Sequence, residues 1–92
     1  MVSKKIYISG RVQGVGFRFH AHEQAMKLGL KGWVRNLPDG RVEMLLFGEE
    51  SPVKNMIKWA HSGPPTAAVD KVEVQETKET AGDAFYIRRE GD

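Results

Sequence analysis

Apolar residues recur at two different periods along this chain, and the order of those periods leaves few folds open. Ile6 and Ile8 alternate with Lys5, Tyr7 and Ser9, so Lys5 to Arg11 is predicted as a half-buried strand. Phe17 to Leu28 suits a helix, with Phe17, Ala21, Ala25 and Leu28 as its apolar stripe and Gly29 placed to end it. Leu30 to Leu37 reads as a second strand. Pro38-Asp39-Gly40 is a turn, because Pro sets φ and Gly accepts a positive one. Arg41 to Phe47 then returns as a third strand, which makes a hairpin. For the second helix Ser51 is the expected N-cap and Pro52 the first helical residue. Val53, Met56, Ile57 and Ala60 follow at i, i+3, i+4 and i+7, and Gly63-Pro64-Pro65 ends the run. Val72 and Val74 alternate with charged residues, so Val69 to Glu76 is a fourth strand. The polar segment Thr77 to Asp83 leads to a short last strand, Ala84 to Arg89.

The order is β-α-β-β-α-β with a short extra C-terminal strand. That is the ferredoxin-like split βαβ sandwich of the α+β class. An antiparallel sheet is expected, with two helices on one face and the other face largely open to water. With 92 residues the chain is expected to form a single domain, 1–92.

Composition narrows the chemistry. Cysteine is absent, which excludes disulfides, Cys-ligated zinc, iron–sulfur clusters and thiol catalysis. Fourteen Lys and Arg against twelve Asp and Glu give a net charge of +2. That excess is too small to point to nucleic acid or membrane, and it suits a small anionic ligand. The apolar stretches are too short to span a bilayer. No apolar segment follows the basic start Met1-Val2-Ser3-Lys4-Lys5, so a cytoplasmic location is expected.

Two segments carry candidate chemistry. In Gly10-Arg11-Val12-Gln13-Gly14-Val15-Gly16-Phe17-Arg18, three glycines separate a strand from a helix. Glycine lets successive N–H groups turn toward one point and lets an anion approach the backbone. The helix start adds unpaired N–H groups, and Arg18 adds a planar fork of donors. The run is neither a Walker A loop nor a dinucleotide fingerprint. It reads either as a phosphate cradle or as a plain strand-to-helix connection with a surface Arg. In Gly32-Trp33-Val34-Arg35-Asn36-Leu37, Asn36 reads either as a turn-forming residue or as a functional carboxamide. In a split βαβ unit the first two strands run parallel on either side of the third. Their C-terminal ends then share one sheet edge, about 10 Å apart. Arg18 and Asn36 could converge there on a phosphate and a water.

Other residues carry less. His20 and His22 are two apart on a helix and point to different faces, so they cannot chelate one metal. His61 falls in a last helical turn, near its final carbonyls. No acidic cluster suggests magnesium or calcium, and Trp33 and Trp59 read as packing residues.

The two motifs together resemble acylphosphatase. The resemblance runs on through Leu37-Pro38-Asp39-Gly40-Arg41-Val42-Glu43, Gly63-Pro64-Pro65 and Phe85-Tyr86-Ile87-Arg88-Arg89, essentially the whole chain. It implies a sheet of order 4-1-3-2 under two helices. It also implies a metal-independent hydrolase with no cofactor, which cleaves the carboxyl–phosphate bond of an acyl phosphate. The family's catalytic arginine falls on Arg18 and its catalytic asparagine on Asn36. By that resemblance the amides of Gln13, Gly14, Val15, Gly16, Phe17 and Arg18 bind the phosphate, together with the Arg18 side chain, and Asn36 orients the attacking water. The implied partner is a small-molecule acyl phosphate. Inorganic phosphate is the product and the expected competitive inhibitor; a monomer is expected, with no nucleic acid or membrane partner. Some family members end just after Ile-Arg, where a terminal carboxylate can reach the arginine. Here Glu90-Gly91-Asp92 continues, so that contact is not carried over. Two other functions fit the β-α-β-β-α-β order. One is an anion-binding module without turnover, as at the front of hydrogenase-maturation carbamoyl transferases. The other is an RNA-binding sheet, which would need aromatics on its open face.

Overall fold

The computed structural model describes residues 1–89. Its elements run β1 (Val2–Arg11), α1 (Phe17–Lys27), β2 (Lys31–Asn36), β3 (Val42–Gly48), α2 (Glu50–Ser62), β4 (Ala68–Glu76) and β5 (Phe85–Ile87). The sheet order is β4-β1-β3-β2-β5. It is the expected ferredoxin-like arrangement, with the extra strand at the β2 edge. The β1, β3, β2 and β4 pairings are antiparallel, whereas β5 pairs parallel to β2. Because β1 and β2 both run against β3, they run parallel to each other and end on the same sheet edge.

The core lies between the helices and one sheet face. Period two puts Ile6, Ile8, Val34, Val42, Met44 and Leu46 on that face, all fully buried. Phe17, Ala21 and Ala25 of α1 and Val53, Met56 and Ala60 of α2 close over them. Leu28 and Ile57 pack at the margin, so both expected apolar stripes face the core. Gly29 has φ 69°, the left-handed conformation that ends α1.

Three expectations need correction. The second helix starts at Glu50, not after Ser51. Glu49 is its cap residue, and the Glu49 carbonyl already accepts the Val53 N–H at 3.2 Å. Ser51 and Pro52 therefore sit inside the first turn, where the missing proline N–H costs no helical bond. Strand β1 begins three residues earlier than Lys5, because Val2 pairs with Gly48 and packs on the core. The face away from the helices is not simply open. Trp33 and Glu43 are only 7% and 4% exposed there, beside buried Leu45. Lys5, Arg35 and Arg88 lie 5.5, 5.3 and 4.6 Å from the Trp33 ring and cover it. Ser3 and Lys5 also donate to Glu79, which draws the β4–β5 connection toward β1.

No helix among the described residues is long and apolar enough to cross a membrane. The segment Glu90-Gly91-Asp92, with the expectation attached to it, lies outside the described residues.

Candidate active site

The glycine run bends where it was expected to. Gly14 and Gly16 have φ of 73° and 78°, while Val15 between them has a negative φ. Alternation of hand along successive residues turns their N–H groups toward one side, which is the geometry of an anion nest. Gly16 is also the cap residue of α1, and no side chain caps that end. The first turn of α1 holds no acidic residue, so the positive end of the helix is not offset there.

Two contacts hold this bend in place, and a third links the residue before it to the β2–β3 turn. The Phe17 ring is buried and lies 5.4 Å from that of Trp59, tilted by 55°, which pins the start of α1 to α2. The Thr66 hydroxyl donates to the Val15 carbonyl at 2.6 Å. The Gln13 side-chain amide donates to the carbonyls of Leu37 and Arg41, at 2.8 and 2.9 Å. Gln13 was expected at the site through its backbone. Its side chain points to the β2–β3 turn.

Asn36 is the last residue of β2 and pairs with Val42 of β3. By strand alternation it shares the face of Val34, toward α1, and it is 8% exposed. The turn beyond it closes through the Leu37 N–H to the Arg41 carbonyl at 2.8 Å and the Gly40 N–H to the Leu37 carbonyl at 3.1 Å. Asp39 finishes that turn. The Arg41 backbone N–H, at 3.1 Å, and the Arg41 guanidinium hold its carboxyl below the usual range.

One cleft of about 360 Å³ joins these parts. Gly14, Gly16, Phe17 and Arg18 line it together with Asn36. The two catalytic candidates of the sequence thus line the same space, as do three of the expected loop positions. Gln13 and Val15 are not among the lining residues. Sequence reasoning missed Val12, Phe19, Ile87 and Arg89, which complete the cleft. A last strand was expected at Ala84 to Arg89, but nothing in its pattern names β2 as its neighbour. That parallel pairing, continued by the Arg88 N–H to the Val34 carbonyl at 2.8 Å, brings Ile87 and Arg89 to the edge where Asn36 ends. Among the described residues the lining carries two guanidinium groups and no acid, a setting for a small anion.

The histidines lie elsewhere. His20 lies 3.7 Å from Glu23 and stacks edge-on to Phe19, whereas His22 lies 6.2 Å from Phe85. His61 bonds the Ile57 carbonyl at 3.0 Å in the last turns of α2. Among the described residues no cluster of three or more His, Asp or Glu side chains gathers as metal ligands.

Comparison with known proteins agrees with this geometry. The acylphosphatase family profile matches residues 4–87. An acylphosphatase of Anaeromyxobacter dehalogenans is 55% identical over 89 residues, covering 95% of each chain. The crystal structure of acylphosphatase from Bacillus subtilis superposes with a TM-score of 0.90 at 38% identity, over 96% of this chain and 99% of that one. Full-length HypF, in a phosphate- and nucleotide-bound form, matches at 29% identity and a TM-score of 0.83, with 98% of this chain covering 12% of it. The chain belongs to the acylphosphatase family.

Proposed function

We propose that the cleft divides the hydrolysis of an acyl phosphate between two sides. Arg18 and the amides from Gln13 to Arg18 hold the phosphoryl group, and Asn36 orients the water that attacks it. The reaction is that of the family: water and an acyl phosphate give a carboxylate and inorganic phosphate. One observation supports the division of roles: the glycines of the bend, Arg18 and Asn36 line a single cleft.

The chemistry needs little more. The attacking oxygen of water bonds to phosphorus while the bond from phosphorus to the carboxyl oxygen breaks. The electron pair leaves with the carboxylate, a good leaving group that requires no strong general acid. The water's proton passes to a phosphoryl oxygen. The transition state is loose, so catalysis is chiefly positioning and charge stabilisation. Arg18 and the amides serve the equatorial oxygens. The Asn36 carboxamide holds water in line from the opposite side. Phe19 and Ile87, both partly exposed at the cleft, supply an apolar wall for the acyl group.

The product phosphate would occupy the same cradle, so it acts as a competitive inhibitor. The same proposal has the chain as one domain and a monomer in the cytoplasm. A single core spanning both βαβ halves supports the first of these.

The test is benzoyl phosphate turnover with a chelator present, for the parent and two variants. Removing one preorganised donor from a developing oxyanion costs roughly 10²–10³ in rate. Arg18→Ala is expected to lose at least that and to weaken phosphate inhibition. Asn36→Ala is expected to lower kcat while the phosphate Ki holds. Loss of phosphate binding with turnover spared in Asn36→Ala would overturn the assignment of Asn36.

A further inference from the structure

The glycine bend and the asparagine belong to segments that are distant in sequence, and one side chain bonds directly from the first to the turn beyond the second. That side chain is Gln13. Gln13 precedes Gly14, the first left-handed residue of the bend, and Leu37 follows Asn36. The Gln13 amide reaches across to the Leu37 carbonyl at 2.8 Å and to the Arg41 carbonyl at 2.9 Å. One carboxamide thus donates both of its hydrogens to the two carbonyls at the mouth of the β2–β3 turn.

These carbonyls do not need Gln13 for their own satisfaction. The Leu37 carbonyl also accepts the Gly40 N–H at 3.1 Å, and the Arg41 carbonyl the Leu37 N–H at 2.8 Å. The turn is closed by its own backbone and by Asp39. What Gln13 adds is a rigid spacing between the loop and the end of β2. Proximity effects are steep, and a shift of about 1 Å can cost on the order of 10²-fold in rate.

We propose that Gln13 is a positioning residue that acts through Asn36. Its two bonds set the distance between the bound phosphoryl group and the in-line water. This rests on the roles of Arg18 and Asn36 proposed above. Gln13 touches neither substrate nor water through its side chain. Loss of its donors leaves the nest and Arg18 able to hold phosphate, but it lets the strand end drift.

The test is a double-mutant cycle in the intact chain, with benzoyl phosphate as substrate and inorganic phosphate as inhibitor. Gln13→Met keeps the side-chain length and removes both donors. It is expected to lower kcat about tenfold, with the phosphate Ki changed by less than about twofold. In the Asn36→Ala background the same change is expected to have no further effect on kcat, because the group it positions is gone. Gln13→Asn, a milder change whose shorter amide reaches one carbonyl at most, is expected to give a smaller loss with the same dependence on Asn36. Multiplying losses in the double variants would overturn the proposal, as would a phosphate Ki that weakens in step with kcat. The two levels separate cleanly. If Asn36→Ala alone leaves kcat intact, the role of Asn36 has failed. If it lowers kcat and Gln13→Met multiplies the loss, only the role of Gln13 has failed.

Discussion

In the proposed reaction the phosphoryl group offers three equatorial oxygens, and Arg18 would match them with a planar fork of donors. A lysine at the same place would bring equal charge as a single point, without the fork. Arg18→Lys is therefore expected to lose nearly as much kcat/KM on benzoyl phosphate as Arg18→Ala; near-parent activity would show that charge alone suffices. Thr66 works one step further back, through its hydroxyl on the Val15 carbonyl. Thr66→Val keeps the shape and drops that bond, whose net worth is about 0.5–1.5 kcal/mol. It is expected to weaken the phosphate Ki by roughly two- to tenfold, with kcat at saturating substrate nearly unchanged. At this scale the sequence was informative about Arg18 and Asn36, because glycine spacing and strand order are local signals. It was silent on Thr66 and on the side-chain bonds of Gln13. Both depend on side chains meeting backbone from remote segments, at separations of 51 residues for Thr66 and 24 for Gln13.

The elements serve the cleft by where they end. Strand β2 pairs with β3 to deliver Asn36 to the shared edge, and at Gly32 the pairing leaves no room for a side chain. Its φ is 135°, and a Cβ there would stand 1.8 Å from the Leu45 carbonyl oxygen. Gly32→Ala is expected to force the two strands apart. Backbone strain of this kind costs about 1–3 kcal/mol by itself, and the clash adds to it. A lower urea midpoint together with reduced turnover is the expected result; an unchanged midpoint would show that the strands yield freely. The helices and hairpin were readable because period, turn residues and a terminating glycine agreed with one another. The start of α2 was not, since Glu49 and Glu50 look no different from other charged residues until their backbone is seen. The parallel pairing of β5 was hidden for a related reason. Three residues carry too short an alternation to name a neighbour.

Across the whole molecule, the sheet has two working faces. One packs against the helices and, at its edge, builds the cleft. The other carries Trp33 and Glu43 beneath a layer of Lys5, Arg35 and Arg88, with Arg35 bonded to Glu43 at 2.6 Å. Tyr7 lies on this second face, with the Arg41 guanidinium 5.0 Å from its ring. Burial, with the Glu43 carboxylate beside it, raises the Tyr7 phenol above its ordinary value. The folded chain therefore keeps this proton to higher pH than the unfolded chain does. The associated stability is complete below the unfolded value of about 10 and is lost as pH rises through the higher folded value. Tyr7→Phe is expected to flatten the alkaline fall in the urea midpoint relative to the parent; parallel curves above pH ~10 would contradict this. Element order made the layered fold legible from sequence, but not this second cluster, whose members come from three strands, the β2–β3 turn and the residue that follows β5. The function rests on the first face, where phosphate is proposed to sit in the bend from Gly14 to Arg18, opposite Asn36. The most direct measurement is a titration of the 15N-labelled protein with inorganic phosphate, followed by NMR. Saturable shifts are predicted for the amides of Gly14, Val15, Gly16 and Arg18, for the Arg18 side chain and for the Asn36 carboxamide, all with one dissociation constant. Shifts confined to Trp33 and the cations around it, or none at the glycine bend, would contradict it.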